Sequence, residues 1–474
     1  MTLAITFMMY LTVIGRFFMS ATAGSLAFLT IIALSPRYFG IGIGEGGFAL
    51  SVQRMISITL ISLIIVALIF QRKKSKNYEL VHSPNFFLYV FLLFFSVSAF
   101  SSFINNPNSI YFIFIFSEDL INIFLSYLIV FFVYPIYQSK TKFFKYLFLI
   151  PAAISSIFII IELLKSAPVF SNIENTSIAA LRDPGEAKFR DGAYRAKALF
   201  NGPLILSEFA VYAWVSVLFL WGVVEQNVKG PKREISQQVL ILFGIIVLFC
   251  ILSTGSRAGL ALAVIATFCF LIIQNTRRTG RNISAIATRF YIAIGVSLVL
   301  AYLYYKASQF IQVKSFSDIA NQFDRSSYAR TLQYFQVASI IQDSPLIGFG
   351  YQRNFAERFD ALYNIDNHYL RVLLQAGFFG LALFIVAIFT VIRSGLKMLS
   401  SDNREVSRIG VFLLVFGAVF LIQKQFLSQP DNNIYLYLVY FISIREANLA
   451  LLSHRSASVQ PTRRTISASP VEAS

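Results

Sequence analysis

The sequence predicts an all-α polytopic integral membrane protein, with about twelve transmembrane helices and two large loops on one side. Composition is the first reason. Hydrophobic types make up 57% of the 474 residues and charged types only 13%, against roughly 25% charged in a soluble domain. The mean hydropathy of +0.67 agrees. The second reason is that apolar runs long enough to cross a bilayer recur along the chain. The third is that basic residues cluster in alternate short connections. Soluble folds, secreted disulfide scaffolds and disordered chains are excluded.

A helix needs roughly 20 apolar residues to cross the hydrocarbon core. On that basis spans fall near 49–70, 86–104, 115–137, 143–165, 203–224, 236–253, 258–275, 288–308, 369–392, 408–426 and 432–448. Before them, an apolar stretch from Thr2 to Leu34 is interrupted at Gly15 and Arg16, long for one span and short for two. No short hydrophobic segment with a small-residue cleavage site is seen, so no removable signal peptide is expected. Residues 1–452 read as one transmembrane unit and 453–474 as a flexible, Ser-rich cytoplasmic tail.

Sidedness follows from the cations. Arg72, Lys73, Lys74 and Lys76 follow one span, and Lys140, Lys142 and Lys145 follow the next but one. Lys229, Lys232 and Arg233, then Arg277, Arg278, Arg281 and Arg289, then Arg393, Lys397, Arg404 and Arg408 keep the alternation. A single topology places all of these clusters inside. The net charge of +17 is thereby explained as membrane orientation, and no nucleic-acid partner is implied. Cys250 and Cys269 lie in apolar runs, and His82, His368 and His454 are scattered. Neither a disulfide framework nor a metal site is expected, and no cofactor is called for.

Two outer loops depart from the pattern, about 166–202 and about 308–367, because each carries arginines where cations are disfavoured. The first ends in Arg195-Ala-Lys197, just before a helix that contains Glu208. Helix N-termini favour anions, so Arg195 and Lys197 are candidates to bind an anionic substrate; interfacial snorkelling is the alternative. Glu208 would pair with one of these cations or act as an acid. Arg257, in Thr254-Gly255-Ser256-Arg257-Ala258-Gly259, falls in a very short connection at the outer membrane edge. Its planar fork suits two phosphate oxygens at once. Ser256 fits a helix cap, and Gly259 fits close backbone approach.

In the second loop, Leu332, Phe335, Ile340 and Ile341 keep helical spacing, which predicts an amphipathic helix over the membrane face with Arg330 in its first turn. Pro345 and the glycines after it end that helix. Arg353 follows on a second short helical pattern. Where this loop meets the next span, Asp366, Asn367 and His368 stand together. They offer a proton acceptor and hydrogen bonds to a sugar hydroxyl. A helix cap by Asp366 or Asn367 is the plainer alternative.

On these residues the chain resembles the O-antigen ligase/polymerase family of bacterial membrane glycosyltransferases. The likeness is carried by Arg195 to Pro203, by Thr254 to Gly259, and by the run from Arg330 through Pro345-Leu-Ile-Gly348-Phe-Gly350 to Asp366-Asn367-His368-Tyr369-Leu370 and Gly377-Phe-Phe-Gly380. The family-like core spans about 190–395. The resemblance implies a helical fold in the bacterial inner membrane, with a metal-independent reaction at the periplasmic face. The donor it implies is an oligosaccharide on undecaprenyl pyrophosphate. Residues matching Arg195, Arg257 and Arg330 would hold the pyrophosphate, and a group at the end of the second loop would deprotonate the acceptor. A separate chain-length regulator protein is an implied partner.

Ligases, which deliver finished chains to a lipid A core sugar, usually place a His immediately before that Asn. Here Asp366 occupies the place, and His368 follows two residues later. The Asp-Asn pair looks more like polymerases that join one lipid-linked repeat to another. This makes Asp366 the first candidate base and His368 the second. A lipid-linked oligosaccharide flippase is the reading from another class. It would want two similar halves and polar groups at the midplane; no clear internal repeat is evident, and Glu118 and Asp119 read equally as buried acids for it or as residues at a span entrance.

Overall fold

A computed structural model describes residues 2–20, 40–43, 48–72, 85–105, 120–134, 143–169, 188–190, 192–200, 202–226, 236–278, 332–350, 365, 367–399, 403–425 and 432–459, with a few isolated positions besides. The expected span at 288–308 and the candidates Arg330, Arg353 and Asp366 lie outside them, as do Glu118 and Asp119.

Helices dominate the described residues. They are α1 (Thr2–Met19), α2 (Val52–Arg72), α3 (Asn85–Asn105), α4 (120–134), α5 (143–165), α6 (Pro203–Gln226), α7 (Gln237–Ser253) and α8 (Arg257–Arg278). Then come α9 (332–340), α10 (His368–Leu399), α11 (Arg404–Gln423) and α12 (Asn433–Val459). Two small antiparallel hairpins accompany them, Gly40–Ile43 with Phe48–Ser51 and Phe189–Arg190 with Ala193–Tyr194. Among the described residues, five stretches are long and apolar enough to cross a membrane: Lys145–Lys165, Pro203–Gly222, Arg257–Asn275, His368–Leu399 and Arg404–Gln423. Shorter apolar helices cover Leu93–Asn105, Leu120–Phe131 and Gln237–Ser253. The chain is therefore a multi-pass membrane protein.

Local chemistry sets several helix starts. Ser236 accepts from the Val239 amide at the head of α7, and Asn403 accepts from the Glu405 amide at the head of α11; both satisfy donors that a helix cannot pair internally. Helices α6 and α11 lie innermost, enclosed by protein along most of their length. Their shared core is aromatic. Tyr212 packs on Phe416, Phe209 on Tyr435, and Tyr435 on Phe148, with ring centroids 5.0, 5.5 and 5.3 Å apart. Such tilted contacts suit the ring quadrupoles.

The span expected at 369–392 is not one straight helix. Gly377 adopts φ 64° and ψ −168° in the middle of α10 and breaks it. The break frees carbonyls on one side and amides on the other. The turn 345–350 takes up both sets. Phe349 and Gly350 donate their amides to the Leu374 and Gln375 oxygens at 2.7 and 2.9 Å, and Phe378 and Phe379 donate to the Pro345 and Leu346 oxygens at 2.8 and 3.2 Å. Ser101 of α3 and Ser344 each donate to the Gly348 oxygen at 2.7 Å. Every one of these bonds satisfies backbone that lipid could not.

The first half of α10, residues 368–376, folds back beside the second. A continuous helix would set residues 368 and 384 ~24 Å apart along its axis. In the structure the His368 and Phe384 rings lie 5.2 Å apart. The second half, from Phe378 onward, is long enough to span by itself.

Helix α9 forms as the spacing predicts and ends in a tighter turn at Ile341–Asp343 before Pro345. Its apolar residues divide between two surroundings. Gln333, Val337 and Ile341 are buried, while Leu332 and Phe335 face outward. These residues recur every four positions, and Val337 and Ile341 pack with Phe349, Leu373 and Leu374. The outward apolar residues suit a helix lying at a lipid interface.

Gly377→Ala is expected to destabilise the fold by at least about 2 kcal/mol, through the positive φ and a side chain that overlaps the Leu346 backbone. Gly202→Ala, which meets nothing within 4 Å, serves as the control. Thermal unfolding in detergent checks both, and equal midpoints would refute the interlock.

Candidate active site

The end of the bundle where α6 begins and α11 finishes is the end that the cation pattern assigns to the outside. Three groups of sequence candidates meet there.

The first outer loop is anchored by a buried acid. Glu162, near the end of α5, has no exposed surface. One of its oxygens accepts the Lys197 and Ala198 amides at 2.8 and 2.9 Å, and the other accepts the Val169 amide at 3.3 Å. A carboxylate shared among main-chain amides fixes backbone more firmly than a neutral acceptor. The short hairpin at 189–194 leads into this segment, and the Ala196 amide donates to the Ser253 oxygen at 3.0 Å. Burial and the Glu162 charge together push the neighbouring Tyr194 phenol up. Lys197 is buried and does not stand at the surface.

Arg195, held by that loop, reaches the turn between α7 and α8. Its Nε donates to the Thr254 oxygen at 2.7 Å, and its side chain lies over Gly255. Ser256 caps α8 as expected, accepting the Gly259 amide at 3.2 Å. Arg257 is therefore the first residue of α8, exposed at the helix N-terminus. Gly259 packs directly on Ser207 of α6 and leaves no room for a side chain. Arg195 and Arg257, far apart in sequence, flank a single turn.

The third group is the junction at the start of α10. Asn367 is its cap: Oδ1 accepts the Tyr369 and Leu370 amides at 2.9 and 3.2 Å. The plainer of its two sequence readings is thus realised. Its Nδ2 also donates to the Tyr334 hydroxyl at 2.6 Å, tying α9 to the half-helix. The His368 amide donates to the Lys424 oxygen at 2.8 Å, and the Tyr369 hydroxyl donates to the Leu421 oxygen at 2.7 Å. His368 is itself buried.

Glu208 lies five residues into α6 and pairs with neither Arg195 nor Lys197 in the contacts that define its place. Its Oε1 sits 2.6 Å from Lys424 Nζ, with both side chains fully buried. The Tyr212 hydroxyl donates to the same oxygen at 3.1 Å, and Asn432 Nδ2 donates to the other at 3.1 Å. Lys424 Nζ stands 5.1 Å from the centre of the Phe420 ring, a favourable cation–π distance.

The structure therefore brings together Arg195, Lys197, Arg257, Glu208, Asn367 and His368 around the outer ends of α6, α8, α10 and α11. Sequence reasoning missed Glu162, Lys424, Asn432 and Tyr334. A signal existed for two of them, since Glu162 and Lys424 are isolated charges within or at the end of apolar runs, where ionisable residues are rare. Nothing in the spacing marks Asn432 or Tyr334.

Residues 242–385 match a family model described as O-antigen ligase. In that segment the chain is similar to the O-antigen ligase family. A search among curated proteins gave no match. Members of the family are membrane glycosyltransferases that use lipid-linked donors. The matched segment runs from α7 into the second half of α10 and covers less than a third of the chain. Arg257, the α9 helix, the turn at 345–350, the α10 junction and the Gly377 break fall inside it. Arg195, Lys197, Glu208 and Lys424 fall outside it, and the fold delivers them to it.

Glu162→Ala leaves the buried amides of Lys197 and Ala198 without their acceptor, at about 1–3 kcal/mol each. The expected result is a lower unfolding midpoint, together with faster proteolysis within 188–200 than elsewhere. Uniform protease resistance would contradict the anchoring role.

Proposed function

We propose that the protein is a polysaccharide repeat-unit polymerase of the bacterial inner membrane, working at the periplasmic face. It transfers a glycan from undecaprenyl pyrophosphate to a sugar hydroxyl of a second lipid-linked repeat. The observation that carries this reading is the meeting of Arg195 and Arg257, from two separate outer loops, at one turn and one helix N-terminus. Arginine forks match pairs of phosphate oxygens, and the α8 N-terminus adds donors and a positive dipole end.

In this mechanism the pyrophosphate lies against Arg257 and Arg195, and Arg330 and Arg353 of the second loop are further substrate-binding cations. Asp366 takes the proton of the acceptor hydroxyl, and His368 is the second choice for that role. The acceptor oxygen attacks the anomeric carbon while the bond from that carbon to the phosphate oxygen breaks. Undecaprenyl pyrophosphate leaves with the bonding pair, and the arginines stabilise its growing charge. No metal enters this scheme. Lys197, Glu208 and Asn367 act from behind the contact surface by holding the loop, the helix and the junction in place. Chain length is set by a separate regulator protein.

The Asp366-Asn367 pair favours polymerase over ligase. The ligase alternative, with lipid A core as acceptor, is supported by His368, which begins the half-helix beside Lys424.

Purified protein in lipid, given only its host's undecaprenyl-pyrophosphate-linked repeat, should yield a ladder at multiples of the repeat. Arg257→Ala should reduce it by about a hundredfold or more, the scale of losing one charge-stabilising donor. An undiminished ladder in the variant would sink the proposal. Product only after lipid A core is added would establish the ligase instead.

A further inference from the structure

We infer that Lys424 is a positioning residue of the transfer site, one that fixes the Asn367–His368 junction to Glu208 and α6. Three observations carry this. Lys424 is the C-terminal cap of α11, so its main-chain oxygen belongs to the carbonyls a helix leaves unpaired. The His368 amide, one of the donors that the half-helix 368–376 leaves unpaired, fills that oxygen at 2.8 Å. The negative end of α11 thus meets the positive end of the half-helix, head to tail. The same residue sends its ammonium to Glu208 at 2.6 Å, in a pair from which solvent is wholly excluded.

One lysine therefore joins three elements with two kinds of bond. Its main chain holds the start of α10, and its side chain holds α6. The Glu208 carboxylate is locked in turn by Tyr212 and by Asn432, which also donates to the Ile205 oxygen at 3.0 Å. Asn432 stands just before α12, so a fourth helix shares the knot. The folded-back half-helix depends on contacts at two ends. The 345–350 turn grips it at Gly377, and Lys424 grips it at His368. Without the second grip, the residues next to the acceptor hydroxyl would pivot about the glycine.

A buried ion pair is weak evidence for stability, because desolvation offsets much of its attraction. Its contribution here is geometric: a neutral pair of similar shape would preserve the fold and lose the fixed position. Misplacing a reacting group by about 1 Å slows transfer on the order of tenfold to a hundredfold. The inference rests on the proposed function, in which the junction receives the acceptor.

The test uses the full chain in lipid with the undecaprenyl-pyrophosphate-linked repeat as probe, and measures kcat, KM for that repeat and the unfolding midpoint. Lys424→Met strands the Glu208 charge and is expected to unfold early. The informative protein is the double variant Lys424→Met with Glu208→Gln, whose neutral side chains keep Tyr212 and Asn432 within bonding reach. Its midpoint is expected near that of the parent, with kcat at least about tenfold lower and KM little changed, the pattern of lost alignment. A double variant with parental kcat would overturn the inference and leave the pair purely structural. Raised KM with parental kcat would overturn it too, as would a double variant that unfolds early, because the role claimed is geometry. Asp366→Asn and His368→Ala are run alongside. Full activity in both would overturn the reading of the junction itself, whatever Lys424 does.

Discussion

A helix broken within a membrane must have its freed backbone groups paired by protein, because lipid supplies neither donors nor acceptors. That constraint, imposed at Gly377, organises the rest of this molecule. The turn at 345–350 pairs the groups released in the middle of α10, and Lys424 and Asn367 serve the amides at the start of the half-helix. Because α9 is tied to Asn367 through Tyr334 and packs on Phe349, the segment 332–350 belongs to the same arrangement. The resulting half-helix carries the Asn367–His368 junction to the Lys424–Glu208 pair. A continuous span would have left it well away, at the far end of a long helix.

Two buried acids divide the outer end between them. Glu162 sets the loop that carries Arg195, and Glu208, through Lys424, sets the junction that carries His368. Both acids are occupied in holding other groups, which leaves the junction itself as the source of a base. Arg257, exposed at the α8 N-terminus, and the half-buried Arg195 beside it then stand at an end of the bundle where the anchoring carboxylates are already engaged by backbone and lysine. Such a division suits transfer of a glycan from a pyrophosphate, where charge develops on the leaving group and one proton must be taken from the acceptor. Much of this support lies outside the matched family segment, so the N-terminal and C-terminal helices position chemistry carried by the middle of the chain.

The helical membrane class and most helix positions were legible in the sequence because hydropathy and alternate-loop cations are direct consequences of the bilayer. The Ser256 cap, the close approach at Gly259 and the end of α9 at Pro345 were legible for the same kind of reason: each is local chemistry. The break at Gly377 was not, since glycine in an apolar run is also common in intact spans; only the partner turn, distant in sequence, decides it. Which apolar residues of α9 meet protein was not legible, because a helix at a membrane surface has two apolar surroundings, lipid and protein, and periodicity does not distinguish them. The partner of Glu208 was missed because Lys424 is remote in the chain and reads as an ordinary end-of-span cation. For the candidate site, the residue types were visible and their pairings were not.

The folded-back half-helix is most directly tested by distance. Cysteines placed at positions 368 and 384, in a chain whose Cys250 and Cys269 are replaced by serine, should be joined in lipid by a short bifunctional thiol reagent. In a continuous helix the two sites would lie ~24 Å apart, whereas the rings at these positions are 5.2 Å apart in the structure. Efficient intramolecular cross-linking is the expected result, lost when Gly377 is replaced by alanine. Failure to cross-link in a folded protein would mean a straight span, and with it a junction remote from Lys424 and Glu208.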